Sequence, residues 1–596
     1  MCGIAGLISN PKKPLPKEQL SARINAMQAA LEHRGPDHQA VYFSPTGNAS
    51  ICHTRLSIVD LNKRANQPML SDDGRFVLSF NGEIYNYKKL RTQLQERGVT
   101  FQSNSDTEVV LKYLIQYGPK GLRNLRGMFA LALWDEKHQS LLVARDPLGV
   151  KPLYYCARHG TLAFASEVRS LLESKLSSRK LSSRGVNQYL LRGSFSEPDT
   201  AFTDIKLLPA GTYFLWREDQ PSLQRYWKPR YSAKSSMNRD KAIELTRSTL
   251  EHCVKAHMVS DVPIGLFLSG GIDSTILLAL ASKLSTKKIR TYSIAFEDPQ
   301  WNEGDIAKKT AQHFGSEHTE WKISAEQAQD LFDDFLSSID QPTIDGFNVY
   351  CAAKLASENG EKVVLSGLGG DELFSGYPSF TKLPVLKKKA ERLKWLSFLL
   401  LPARQIIEKL LPPKNRRGLD LLFYPDSISI VHQSFRGIFS INEASKLAHD
   451  ITGKESTASF PKIRARDLAD QISELEMSVY CRNQLLRDSD VFSMAHGLEL
   501  RVPFIDKVLV EQILTIPAKW RLEKNKQLLI DSVPELPEWV IDQPKNGFRF
   551  PFEDWLTHKW SGMPTTKETP KWIPLSPWYR QWSLSVLDDW LSRHAK

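Results

Sequence analysis

The chain has 596 residues, of which 41% are hydrophobic, 24% charged and 10% aromatic. That is the balance of a packed globular protein, and it excludes disordered, collagen-like and coiled-coil chains. The formal net charge of +12 favours phosphate-bearing or anionic partners; no nucleic-acid partner is expected from it alone.

In chain order, the first ~215 residues read as short strands joined by turns. Phe76–Tyr87, Met128–Asp135 and Ser140–Asp146 alternate or run apolar as packed strands do, while Thr107–Tyr117 carries helical spacing. A polar stretch over Tyr226–Asp240 reads as a linker. Beyond it the rhythm changes. A helix is expected over Lys241–His257, a strand over Pro263–Leu268, then a helix, then strands at Arg290–Phe296, Glu317–Ile323 and Lys362–Gly367 with helices between. Strands alternating with helices argue for a doubly wound parallel sheet. From about Phe380 onward the pattern is helical.

The six cysteines, Cys2, Cys52, Cys156, Cys253, Cys351 and Cys481, are far apart and form no CxxC. A zinc site or disulfide framework is therefore not expected, and a reducing cytoplasm fits. The opening MCGIAGLISN has no charged region ahead of an apolar core, so it does not read as a secretory signal. The longest apolar run, Trp395–Leu401, falls far short of a membrane span.

Cys2 directly follows the initiator Met. With Met1 removed, its own α-amine becomes a general base beside its thiol; alone, Cys2 reads as a small buried hydrophobe. Its neighbours change that. HRGPD (His33–Asp37), HTRLSIVD (His53–Asp60), NGEIYN (Asn81–Asn86) and SDTEV (Ser105–Val109) together resemble the class II glutamine amidotransferase domain, an N-terminal-nucleophile fold. On that resemblance Arg55 takes the glutamine carboxylate, Asp106 and Glu83 its ammonium, and Asn81 with the Gly82 N–H the oxyanion. Asn-Gly is also the strongest hairpin signal, so a turn that doubles as the oxyanion hole is expected there.

LSGGIDST (Leu268–Thr275) follows an apolar strand and opens a helix, the context of a phosphate loop. It lacks GK[ST], so it is not a P-loop kinase motif; SGGIDS instead resembles the pyrophosphate loop of ATP pyrophosphatases. LSGLGGDELFSGY (Leu365–Tyr377) again follows a strand. Asp273 and Asp371 would then stand at the carboxyl ends of two parallel strands, where carboxylates suit Mg²⁺; each alone reads equally as a helix cap. Lys545, in PKNGF (Pro544–Phe548), is a candidate cation for charge on phosphate.

Together these motifs resemble the glutamine-dependent asparagine synthetase family, from Cys2 to about Trp555. The resemblance implies an α+β N-terminal-nucleophile sandwich over residues 1–215, an α/β doubly wound synthetase domain with extra helices over 235–560, and an extension over 561–596. It implies catalytic roles for Cys2, Asn81, Gly82 and Lys545. ATP would be held by Phe267, Ser269, Gly270, Gly271, Asp273, Ser274, Ile294, Ser366 and Gly367, with Mg²⁺ on Asp273 and Asp371. The implied substrates are glutamine, ATP and a carboxylate, joined by an internal ammonia channel near Arg145–Tyr155 and Phe164–Val168. Leu368 departs from the pattern, standing where the family usually has glutamate, so the acceptor is either aspartate or another carboxylate such as a uronic acid of surface polysaccharide. A phosphoribosyl amidotransferase and a non-catalytic relative are the remaining alternatives. Residues 386–418, rich in Lys, Arg, Leu and Trp, read either as a packed helical hairpin or as an amphipathic element for peripheral membrane contact. A homodimer stays open.

Overall fold

The computed structural model describes residues 2–10, 14–217, 221–234, 236–296, 302–543, 550–560, 570 and 572–595. Twelve strands among them fill the amino-terminal part: β1 (Gly3–Ile8), β2 (His38–Phe43), β3 (Ala49–Arg55), β4 (Met69–Leu70), β5 (Phe76–Ile84), β6 (Gly127–Asp135), β7 (Ser140–Arg145), β8 (Tyr154–Arg158), β9 (Thr161–Ala165), β10 (Ile205–Leu207), β11 (Thr212–Trp216) and β12 (Ser222–Arg225). They form two antiparallel sheets, ordered β10-β8-β9-β1-β3-β2 and β12-β11-β7-β6-β5-β4. Ile4, Ile8, Ile51, Val77, Trp134, Val143 and Phe164 pack between them. The Lys17–Ala29 helix covers the outer face of the first sheet and the Asp106–Tyr117 helix that of the second. Covered on both faces, β1 and β3 are buried at every residue, which is why their sequences lack clean alternation.

The carboxyl-terminal part holds five parallel strands, β13 (Ile264–Phe267), β14 (Arg290–Phe296), β15 (Glu317–Ile323), β16 (Val363–Leu365) and β17 (Glu499–Arg501). Their order is β15-β14-β13-β16-β17, so the winding reverses between β13 and β16. Ligands of such sheets usually bind at that point, at the carboxyl ends of the strands. The α+β sandwich and the doubly wound sheet with extra helices both match the sequence expectation. One strand does not. β17 lies in the stretch expected to be helical, and three residues are too short to print a period of two.

A second correction concerns Asn81–Gly82. They form no hairpin; they lie inside β5, opposite Ala130 and Phe129 of β6. Gly82 is required by the neighbouring strand, since a Cβ there would stand 2.1 Å from the Met128 carbonyl oxygen.

Candidate active sites

Two centres emerge, one on each part. At the first, Cys2 is buried at the start of β1, and its backbone nitrogen donates to Asn81 Oδ1 at 3.2 Å. Asn81 Nδ2 is buried with no hydrogen-bond partner among the described residues. Burial pushes the Cys2 thiol up, against the opposing pull of the N-terminal charge.

Arg55, at the end of β3, is held by the Asn62 and Asp60 carbonyls at 3.2 and 2.5 Å and by Asn66 Oδ1 at 2.6 Å. All of these acceptors are uncharged, and a guanidinium fork of this kind suits a carboxylate ligand. Glu83 and Asp106 stand together: the Ile84 N–H donates to Asp106 Oδ2 at 2.9 Å. Burial first, then the Asp106 charge, raises Glu83 well above the usual carboxylate range, and burial pushes Asp106 up to about 6. An ammonium arriving between them would reverse both shifts. Cys2, Asn81, Arg55, Glu83 and Asp106 lie near one another in the fold.

At the second centre, Gly271 caps the Ile272–Leu284 helix, and Gly270 takes a positive φ of 73°, which suits glycine. The loop is tied by hydroxyls: Ser269 N–H donates to Ser274 Oγ at 3.3 Å, and Ser274 Oγ donates to the Gly271 carbonyl at 3.1 Å. The loop after β16 packs directly against it. A Cβ on Gly367 would stand 2.9 Å from Asp273 Cβ, and one on Gly370 2.3 Å from Asp273 Oδ1. Ser366 lies at the same strand end, and Phe267 closes β13. Ile294 is buried within β14, in the core. Lys545 lies outside the described residues. Asp273 and Asp371 both reach one cation. Lys526 Nζ is 2.5 Å from Asp273 Oδ2 and 2.5 Å from Asp371 Oδ1, and the two aspartates hold this buried ammonium firmly protonated, against the effect of burial.

Residues 1–227 match the glutamine amidotransferase domain model and residues 245–562 the asparagine synthase model. "Asparagine synthetase [glutamine-hydrolyzing] 1" of Bacillus subtilis is 32% identical over 94% of this chain and 88% of its own. The chain belongs to the glutamine-hydrolysing asparagine synthetase family. "Asparagine synthetase B [glutamine-hydrolyzing]" of Escherichia coli is 32% identical over 66% of this chain and 67% of its own. "Amidase chry2" of Gibberella zeae is 26% identical over 93% and 90%. The chain is thus a glutamine-hydrolysing, asparagine synthetase-like amidotransferase. Among the described residues no helix is long and apolar enough to cross a membrane.

What the sequence left unassigned in this family member is the seam between the centres. Arg34, fully buried, donates to the Cys2 carbonyl at 3.2 Å, pairs with Glu167 at 2.7 Å and crosses to Asp490 at 2.7 Å. Lys151 meets the other Asp490 oxygen at 3.0 Å. Burial alone would raise Asp490, but Arg34 and Lys151 hold it below its ordinary value. Arg501, at the end of β17, reaches back to Glu83 at 3.3 Å while bound to Glu499 at 2.6 Å. Arg34, Glu83, Lys151 and Glu167 lie in stretches singled out from the sequence, whereas Asp490, Glu499 and Arg501 do not; spacing gave no sign that they would interlock. Asp490→Asn should lower the unfolding free energy by about 3–5 kcal/mol, because it leaves two buried cations short of one charge. Equilibrium urea unfolding is the measurement. A variant as stable as the wild type would show that the seam contributes nothing to the fold.

Proposed function

We propose that the chain amidates a carboxylate through an acyl-adenylate, using ammonia released from glutamine at Cys2. The observation that carries this is the meeting of the Ser269–Ser274 loop with Asp273 and Asp371 at the winding reversal between β13 and β16, in the same chain as the Cys2–Asn81 pair.

At the first centre, Cys2 Sγ attacks the glutamine amide carbon while its proton passes to the α-amine freed by loss of Met1. Asn81 Nδ2 and the Gly82 N–H take the developing oxyanion. Arg55 fixes the carboxylate and Glu83 with Asp106 the ammonium. Ammonia leaves, and water later releases glutamate. At the second centre, an acceptor carboxylate oxygen attacks the α-phosphorus of ATP and pyrophosphate departs. Ammonia then displaces AMP, which keeps that oxygen. Keeping ammonia away from water keeps it unprotonated and nucleophilic, and it protects the adenylate from hydrolysis.

The family's Mg²⁺ fits the donor chemistry. Asp273 and Asp371 are hard oxygen ligands that already converge on one cation, Lys526. Two carboxylates plus substrate phosphates are a usual set for this ion. When bound, it would offset the charge of the departing pyrophosphate. Lys545 is proposed to act on the same charge. Incubation with ATP, glutamine and ¹⁸O-labelled acceptor is the test: the adenylate route puts one label oxygen into AMP, whereas ADP or unlabelled AMP would reject it.

A second acceptor is favoured by Leu368. It is half-buried and packs against the core where the family usually carries an acid. The acid beside it cannot easily substitute: Glu372 is fully buried and bonded to the Tyr377 hydroxyl at 2.9 Å, and burial with the Asp371 charge pushes it up to about 7. A polar acceptor group facing leucine would lose a partner, at about 1–3 kcal/mol or roughly 5- to 150-fold. Leu368→Glu should therefore raise aspartate-dependent AMP release by that factor. Robust, aspartate-specific asparagine formation by the wild type would rule out a different acceptor.

A further inference from the structure

We infer that the helical segment between residues 379 and 423 carries a docking face for an anionic lipid bilayer, on which the enzyme lies as a peripheral protein. Four helices make it up: Ser379–Arg392, Lys394–Leu400, Arg404–Leu410 and Pro413–Phe423. The first packs inward through Leu383 against Ile428, Val431 and Ile472. The middle two, with Leu401 between them, leave a set of large apolar side chains in solvent. Trp395 is 61% exposed, Leu399 68%, Leu401 59%, Ile406 64% and Leu410 80%. A soluble surface carries single exposed leucines as a matter of course, but not a run of large apolar side chains on consecutive helices.

Helix geometry puts these side chains on outward faces. Trp395 and Leu399 are four residues apart, and so are Ile406 and Leu410, so each pair lies one above the other. The opposite face of the Arg404–Leu410 helix is the anchored one. Arg404 pairs with Asp420 at 3.2 Å, and Glu408 accepts from the Ser440 hydroxyl and from Asn442 Nδ2 at 2.7 Å. Lys394 pairs with Asp426 at 2.6 Å on the surface beside the other helix. The Ile406–Leu410 face is therefore held outward by the buried polar ties of Arg404 and Glu408.

Charge selects the occupant. Residues 386–418 contain ten lysines and arginines against two glutamates, a net +8 within a chain of +12. Lys388, Lys389, Arg392 and Lys409 are exposed around the apolar face. A protein partner with an apolar groove would not need so many cations, whereas an anionic bilayer offers both an acyl boundary for Trp and Leu and phosphates for Lys and Arg. The helices are seven residues each, so they would lie in the interface and cannot span it.

The test is flotation of the full-length protein with vesicles of phosphatidylglycerol and phosphatidylcholine, 1:1, against vesicles of phosphatidylcholine alone. Binding to the anionic vesicles is expected to exceed binding to the neutral ones by about tenfold or more, and to weaken as salt rises from 0.1 to 0.5 M. The triple variant Trp395→Ser, Leu399→Ser, Ile406→Ser should lose binding about tenfold with its ATP turnover in solution unchanged, since none of the three touches either centre. Quenching of tryptophan fluorescence by brominated acyl chains should fall in Trp395→Phe, which keeps an apolar ring. Equal binding to both vesicle types, no binding to either, or a triple variant that floats like the wild type would overturn the inference. So would sedimentation showing that the same three substitutions dissolve a dimer, which would assign the face to a second copy of the chain.

Discussion

Cys2→Ala is expected to remove glutamine-dependent amide formation by on the order of 10³-fold or more, the scale set by loss of a nucleophile that acts as a unit with its base. Ammonium salts supplied in place of glutamine should restore product at about the wild-type rate, because no residue of the second centre touches Cys2. The variant should still fold. Cys2 is a small buried side chain, and alanine keeps the β1 pairing with β3 and β9. The base proposed for Cys2 is its own nitrogen, whose backbone N–H donates to Asn81 Oδ1, so active enzyme is expected to begin at Cys2 by mass spectrometry. A Cys2→Ala protein that hydrolyses glutamine at the wild-type rate would sink the assignment.

The readable part of this molecule was the part whose chemistry is local. SGGIDS sits in one strand–loop–helix unit, and its glycine conformation and hydroxyl ties follow from a few adjacent residues. The amidotransferase motifs were likewise legible, though the Asn81–Gly82 pair shows the limit. The dipeptide reads as a turn because its strand partner, whose Met128 carbonyl leaves room only for glycine, is about 45 residues away. Non-local pairings were invisible for the same reason. Arg34 and Asp490 lie 456 residues apart and meet at 2.7 Å, and Lys526 is 253 residues from Asp273. Lys526 stands in a stretch, LEKNKQLL, that looks like an ordinary charged surface. Only the folded sheet brings it between two carboxylates. β17 escaped for a different reason: as a three-residue strand buried at every position, it shows no alternation.

Asp273→Asn and Asp371→Asn should each collapse ATP-to-AMP turnover, by roughly 10²- to 10³-fold, the range for loss of one preorganised electrostatic contact, while leaving glutaminase activity largely intact. Asparagine keeps the shape and removes the charge. In Asp273→Asn the Lys526 ammonium keeps Asp371 alone, and the carboxylate pair proposed to hold Mg²⁺ is halved. Two consequences separate this from simple damage to the loop. The Mg²⁺ concentration for half-maximal rate should rise in both variants, since each lacks one charged ligand. Lys526→Gln should not produce that rise, because it removes the cation and leaves both carboxylates. If Lys526 instead meets phosphate, its loss should raise the KM for ATP. Unchanged release of AMP and pyrophosphate in both aspartate variants would refute the role of the pair. A rise in Mg²⁺ demand confined to Lys526→Gln would assign the cation chemistry to the lysine, with the aspartates serving only to position it.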